Sequence, residues 1–209
     1  MNLRTPQFIY FDLGNVLLKF DNQVACRQMG HVAGVPPEQV RKVLFEEGLE
    51  ERYERGELSS RAFYDEFCQR TGTRPDFHAL LEAGSAMFTM NAFCVAVAVQ
   101  LAMARYRLGL LSNTCEAHWQ YVSGGRYSVI PCLFSLCVLS YEVRALKPAP
   151  EIYQVATELA GVSASHIFYV DDREEHVAGA LRAGWDAVVY RSADQLCLEL
   201  RRRGVQFNF

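Results

Sequence analysis

The chain has 209 residues, half of them hydrophobic, with 21 Lys and Arg against 24 Asp and Glu for a formal net charge of -3. This is enough apolar material for one large domain or a domain carrying an insertion, and the near-neutral balance argues against a nucleic-acid partner. Met1 to Gln7 is polar and lacks the apolar stretch of a signal peptide, while the longest apolar run, Ala92 to Ala104, contains Gln100 and is too short to cross a bilayer. The expectation is a soluble, cytoplasmic protein with no membrane partner. Seven cysteines without a C-x-x-C pair fit reduced, buried thiols. Cys115, which follows an expected loop, is the candidate for an exposed thiol.

In chain order, Phe8-Ile9-Tyr10-Phe11 reads as a buried parallel strand that ends at Asp12, with Gly14-Asn15 making the turn. From Phe20 to about Met90 the chain is charge-rich and reads as helical, with no strand expected. Val40, Val43 and Leu44, then Phe63, Tyr64 and Phe67, share helical faces. Pro36-Pro37 suits a first turn, Ser59 or Ser60 a cap, and Gly72 a stop.

The texture changes after Asn91. Phe93 to Arg107 reads as a helix, Leu108 to Leu111 as a strand ending at Ser112-Asn113-Thr114, and Leu133 to Leu139 as another strand. Ile152, Val155, Ala156, Leu159 and Ala160 form the stripe of a helix closed by Gly161. Ile167 to Val170 is a buried strand ending at Asp171-Asp172, followed by a helix from Val177 to Ala183 and a strand from Ala187 to Tyr190. A last helix, Asp194 to Arg203, places Arg201-Arg202-Arg203 at a solvated end. The alternation predicts an α/β fold with a mostly parallel sheet, interrupted by a helical insertion.

Three strand ends therefore carry polar groups: Asp12, Ser112-Asn113 and Asp171-Asp172. In a parallel sheet they share one edge, where open α/β folds bind ligands. Lys147, ahead of Pro148 and the striped helix, can reach the same edge. Carboxylates, a hydroxyl and an ammonium in one crevice suit a divalent cation and a phosphate. Adjacent carboxylates at a buried strand end repel each other unless a cation pairs them.

In this order the residues resemble the four motifs of the haloacid-dehalogenase-like (HAD) hydrolase superfamily. The first is Asp12-Leu13-Gly14-Asn15-Val16-Leu17 and the second Leu110-Leu111-Ser112-Asn113-Thr114. The third is Lys147-Pro148 with Pro150-Glu151-Ile152-Tyr153, and the fourth Tyr169-Val170-Asp171-Asp172-Arg173. The resemblance implies a Rossmann-like parallel sheet core over residues 1–19 and 91–209, with an all-helical cap domain inserted at 20–90. The spellings Asp-Leu-Gly-Asn-Val and Leu-Ser-Asn-Thr are similar to the branch that includes glucose-1-phosphate phosphatases. The implied activity is Mg²⁺-dependent hydrolysis of a small phosphorylated metabolite. Asp12 would be the nucleophile. Ser112 and the backbone at Asn113 would hold the phosphate, and Lys147 would neutralise it. Asp12, the carbonyl of Gly14 and Asp172 would bind Mg²⁺, with Asp171 supporting them or exchanging roles with Asp172.

Two positions depart from the family pattern. Gly14 stands where most relatives carry a second aspartate, the general acid to the leaving alcohol, and His176 stands where relatives often carry Asp or Asn. His176 is one candidate replacement acid, and His118-Trp119, after the second motif, is a candidate pair at the crevice mouth. Tyr53, Arg55 and Tyr64 in the insertion could line the substrate side, whereas His31, His78 and His166 carry no motif signal. A 2-haloacid dehalogenase, which needs neither proton donor nor metal, and a non-catalytic phosphate-binding regulator are the competing readings.

Overall fold

A computed structural model describes residues 4–208. The chain opens with β1 (Phe8–Phe11), buried throughout, and a tight turn into the two-residue β2 (Leu18–Lys19). Asn15 makes that turn at φ 55°, a left-handed conformation that asparagine tolerates better than most side chains.

Five helices follow: α1 (Asn22–Ala33), α2 (Pro37–Arg41), α3 (Leu49–Glu54), α4 (Ser60–Thr71) and α5 (Phe77–Ser85). Their ends follow local chemistry. Asp21, Ser59 and Asp76 accept hydrogen bonds from the first-turn amides of α1, α4 and α5, and Gly34 and Gly72 close α1 and α4 in left-handed geometry. Cys26, Met29, Val40, Leu44, Tyr53, Phe63, Phe67 and Leu80 bury a core that belongs to this block, joined by Cys115 and Ala117 from the sheet domain.

β3 (Thr89–Met90) then pairs antiparallel with β2. A strand at these residues departs from the helical expectation. It is only two residues long and exposed, so it carries no apolar alternation to read. The remaining elements are α6 (Ala92–Met103), β4 (Arg107–Ser112), α7 (Glu116–Tyr121), α8 (Val129–Leu133), β5 (Leu136–Leu139), α9 (Ser140–Val143), α10 (Pro150–Ala160), β6 (Ile167–Asp171), α11 (Glu174–Arg182), β7 (Asp186–Val189) and α12 (Ala193–Arg202). Leu133 ends α8 instead of opening β5, because the apolar run is shared between a short, half-buried helix and the strand.

The five long strands form one parallel sheet in the order β5-β4-β1-β6-β7. β1 is central, with later strands added on both sides, so the order reverses at its carboxyl end. Successive residues of β1 feed opposite faces. Ile9 and Phe11 join the core with Val97, Leu101, Leu196 and Leu200, whereas Phe8 and Tyr10 pack with Tyr153, Tyr169 and Trp185. Arg203 departs from the solvated position expected for it. It is buried, grips both oxygens of Asp186 at 2.6 and 2.8 Å, and pairs with Glu199 at 2.7 Å. Among the described residues no helix is long and apolar enough to cross a membrane.

Candidate functional site

Register aligns the site. Phe11 pairs with Leu110 on one side and Val170 on the other, so Asp12, one residue on, lies level with Leu111 and Asp171. The Asp12 amide donates to Val170 O at 2.9 Å, and its carboxylate accepts from the Leu13 amide at 2.7 Å. Asp12 is thus held by the backbone on either side of its own Cα.

Lys147 arrives from the loop before α10. Its amide donates to Asn113 Oδ1 at 2.8 Å, and Asn113 Nδ2 donates back to its carbonyl at 3.1 Å. The side chain of Asn113 therefore fastens the lysine segment to the end of β4. Lys147 Nζ, wholly buried, lies 2.8 Å from Asp12 Oδ1, 2.7 Å from Asp171 Oδ2, 2.9 Å from Tyr169 Oη and 3.1 Å from Leu111 O. Burial pulls the ammonium towards neutrality, but Asp12 and Asp171 outweigh it and its pKa is raised.

The two buried carboxylates are treated differently. Burial pushes Asp171 up, yet Lys147 and His176 outweigh it and hold the group well below the usual carboxylate range. His176 Nδ1 lies 3.1 Å from both Asp171 oxygens, the Arg173 amide donates to Oδ1 at 2.8 Å, and Tyr169 Oη donates to Oδ2. Burial raises Asp12 to about 7; Lys147 opposes the rise, and Asp171 and Asp172 add to it. Asp172 is less enclosed and accepts from Asn15 Nδ2 at 3.1 Å, tying the fourth motif to the first turn.

Two buried carboxylates, Asp12 and Asp171, thus share one ammonium, and Asp172 stands beside them with Asn15 as its side-chain partner. Ligand atoms of Asp12, Asp171 and His176 all lie within 4.8 Å of one another. Several hard oxygen donors around a carboxyl pushed up by burial and, less, by neighbouring carboxylates fit Mg²⁺. The oxygen donors available to hold it are Asp12, Asp171, Asp172 and the carbonyl of Gly14, which lines the cleft.

Above this floor a cleft of ≈ 300 Å³ opens between the helical block and the sheet edge. Gly14, Ser112, Asn113 and Arg173 line its lower part, and Phe20, Glu50, Tyr53, Glu54, Phe63, Phe88 and His118 its upper part. Ser112 is buried, and its hydroxyl makes a single long contact of 3.3 Å to the Asn113 carbonyl. Of the expected cap residues only Tyr53 lines the cleft. Arg55 pairs with Glu51 and Glu57, and Tyr64 donates to Pro75 O at 2.6 Å. His118 faces the cleft while Trp119 packs into the core beside it. His31, His78 and His166 lie away from the cleft.

Cys115 is buried, not exposed, with Glu50 and His118 beside it; their ligand atoms lie within 4.8 Å of one another. Burial drives all three towards uncharged forms, raising Glu50 to about 8 and Cys115 well up and lowering His118 to about 4. Sequence reasoning missed Glu50, Glu54 and Ser140, and gave Tyr169 no role beyond its place in the fourth motif. Tyr169 had a signal, because it shares a strand face with Asp171 two residues on. Ser140 also had one, as the polar residue directly after β5.

No family model matches the chain. Among solved structures it is similar to a HAD family enzyme from Bacteroides thetaiotaomicron in complex with magnesium and inorganic phosphate. The two are 23% identical over 88% of this chain and 93% of that one, with a TM-score of 0.79. A predicted HAD-like family hydrolase from Porphyromonas gingivalis matches over 97% and 99% of the two chains at 21% identity and a TM-score of 0.79. The L-2-haloacid dehalogenase from Xanthobacter autotrophicus with chloropropionic acid covalently bound matches over 96% and 84% at 19% identity and a TM-score of 0.64. With its parallel sheet, central β1 and helices inserted after the first turn, this chain has the fold of the HAD-family enzymes.

Proposed function

We propose that this protein is a Mg²⁺-dependent phosphatase acting on a small phosphorylated metabolite through an aspartyl-phosphate on Asp12. The observation that carries this reading is the Asp12–Lys147–Asp171 array at the carboxyl end of the central strand, beside the cleft under the helical block. The likeness to a fold found with magnesium and inorganic phosphate supports it. Residues 1–19 and 91–209 act as the core, and the helical block 20–90 acts as a cap that selects the substrate.

In this mechanism Asp12 attacks phosphorus in line with the leaving oxygen, and water later releases phosphate from the acyl phosphate. Ser112 Oγ and the Asn113 amide hold the phosphoryl oxygens. Lys147 keeps Asp12 aligned and offsets the charge that develops on those oxygens. Asp12, Asp172 and the Gly14 carbonyl would hold Mg²⁺, which would supply further charge neutralisation. Asp171 and His176 sit behind the lysine and fix its position. His118 belongs to the upper wall of the cleft.

The finer substrate class we favour is a sugar phosphate, with glucose 1-phosphate as its type. An anomeric oxygen leaves more readily than an ordinary alcohol, which suits a chain whose acid position is Gly14. A cytoplasmic setting accords with seven unpaired cysteines. The test is a panel of sugar phosphates with Mg²⁺ and with EDTA. Mg²⁺-dependent phosphate release, lost in Asp12→Asn and faster on 1-phosphates than on 6-phosphates, is the expected result. Metal-independent turnover, or an active Asp12→Asn, would overturn it.

A second reading rests on the likeness to the dehalogenase with its covalent chloropropionate adduct. Attack on carbon needs no proton donor, so Gly14 suits it. The carboxylate excess opposes it. Chloride release from 2-chloropropionate in EDTA would decide in its favour.

A further inference from the structure

We infer that Glu54, the last residue of cap helix α3, is the proton donor to the leaving oxygen and then the base for the attacking water. This rests on the phosphatase reading above and names the group that completes it. Any such hydrolysis must move two protons. The leaving alkoxide gains one, and the attacking water loses one.

The nearer candidates fail on geometry. A Cβ at Gly14 would stand 2.8 Å from Cε1 of Phe20, so the ring of Phe20 occupies the space a side chain there would need. His176 is buried, turned onto Asp171, and absent from the cleft lining. His118 lines the cleft, but its ring faces Glu50 at 3.8 Å and the Phe88 ring at 5.3 Å, and burial keeps it neutral at ordinary pH.

Glu54 has the placement the role needs. It lines the cleft with Gly14, Ser112 and Asn113, and part of its surface stays open to that space. Its backbone is pinned to the second motif through one side chain. Ser140 Oγ, completely buried, lies 2.7 Å from Glu54 O and 2.9 Å from Thr114 O, and accepts from the Thr114 amide at 2.9 Å. The residue before it is pinned as well, since Tyr53 Oη accepts from the Ala117 amide at 3.0 Å. Gly56 lies so close to Tyr141 that a Cβ would stand 2.1 Å from its carbonyl oxygen. The cap is thus locked to the core around Glu54, not hinged there.

The charges that act on Glu54 also point to the phosphate end. Lys147 and Arg173 of the core pull its pKa down, while Glu51 on its own helix raises it and Glu50 interacts with it. Burial raises the carboxyl to about 7, against the pull of those two cations, so it carries a transferable proton near neutral pH. Glu50, one turn earlier, is raised to about 8 by burial and, less, by Glu54.

The steps balance. Asp12 Oδ forms a bond to phosphorus as the bond to the leaving oxygen breaks, and Glu54 gives that oxygen its proton. Glu54, now a carboxylate, takes a proton from water as the water oxygen bonds to phosphorus. The bond to Asp12 breaks, restoring the carboxylate, the protonated Glu54 and free phosphate.

The test compares two esters on the full-length protein with Mg²⁺. β-Glycerol phosphate has an alkoxide leaving group that needs protonation, and p-nitrophenyl phosphate has a phenolate that does not. Glu54→Gln should lower kcat/KM on the glycerol ester by roughly 10²–10⁴. With the nitrophenyl ester it should keep a burst of one nitrophenolate per enzyme, followed by slow turnover as phosphoenzyme accumulates. Equal losses of the burst and of glycerol-ester hydrolysis, or no selective loss, would overturn the assignment. Glu54→Asp provides the same comparison should the glutamine variant fold poorly. A wild-type protein inactive on both esters and on the whole sugar-phosphate panel, or an active Asp12→Asn, would sink the phosphatase reading instead.

Discussion

Single titratable groups in the cleft leave a mark on stability that is separate from catalysis. Glu50 binds its proton up to about pH 8 in the folded chain against 4.5 ordinarily. Between those values the folded state holds the extra proton. Its contribution is therefore full below 4.5, declines as pH rises, and is gone above about 8. Glu50→Gln should remove up to about 1.4 kcal/mol per pH unit from the fall of unfolding free energy across that window. Urea melts at several pH values would measure it, and an unchanged slope would refute it. Glu54 keeps a share of the slope in that variant, since its carboxyl is raised too. His118 acts in the opposite sense. Its neutral form contributes above the ordinary 6.5, and that contribution is lost as pH falls through about 4.

At the level of elements, the junction of α3 with α7 and α9 decides how the cap sits. Ser60 Oγ bonds Tyr53 Oη at 2.6 Å and donates to Glu116, while Tyr53 caps the start of α7. Gly56 allows this contact in two ways, through φ of 71° and through the missing Cβ next to Tyr141. Gly56→Ala should cost at least about 2 kcal/mol, from left-handed strain plus a backbone clash. A urea midpoint equal to wild type would show that the cap can re-seat without this contact. At the far end of the sheet, Arg203 joins α12 to β7 by a forked pair with Asp186, stacked 4.5 Å from Phe168. A terminal basic run reads as solvated until the packing of the last helix is known.

Over the whole molecule, one sheet edge gathers more negative charge than its lysine offsets, and the cap shields that edge from water. A bound divalent cation should therefore stabilise the folded chain by mass action. At Mg²⁺ a hundredfold above its Kd the gain is about 2.7 kcal/mol. Thermal melts with and without MgCl₂ should show a rise in Tm that Asp172→Asn abolishes. The same variant should leave the metal-free Tm close to wild type, because Asp172 is partly exposed and has one side-chain partner, Asn15. A Tm rise that persists in Asp172→Asn would move the ligand role to Asp171.

Much of this was legible in the chain because it depends on short-range pattern. Buried strands announce themselves as apolar runs, and turn chemistry marks where each one stops. Asp12, Ser112, Asn113, Asp171 and Asp172 could therefore be set on a common edge from strand ends alone, and Lys147 added from its place before a striped helix. The insertion was legible from helical spacing and from Ser59 and Gly72 at its helix ends. The exposed pair β2–β3, the covered Cys115 and the buried Arg203 were not legible, since each depends on what packs against it. Glu54 is the sharpest case. Charge-rich helix sequence reads as a solvated face, and nothing local separates Glu54 from Glu51 or Glu57. What sets it apart is a contact 86 residues away, Ser140 holding its carbonyl, and a place in the cleft lining where Lys147 and Arg173 act on its carboxyl. Sequence alone determined the kind of chemistry at the sheet edge, because residue type and strand termination are local. The tertiary structure decided which cap group faces that chemistry, because burial and charge at a residue are properties of its neighbours.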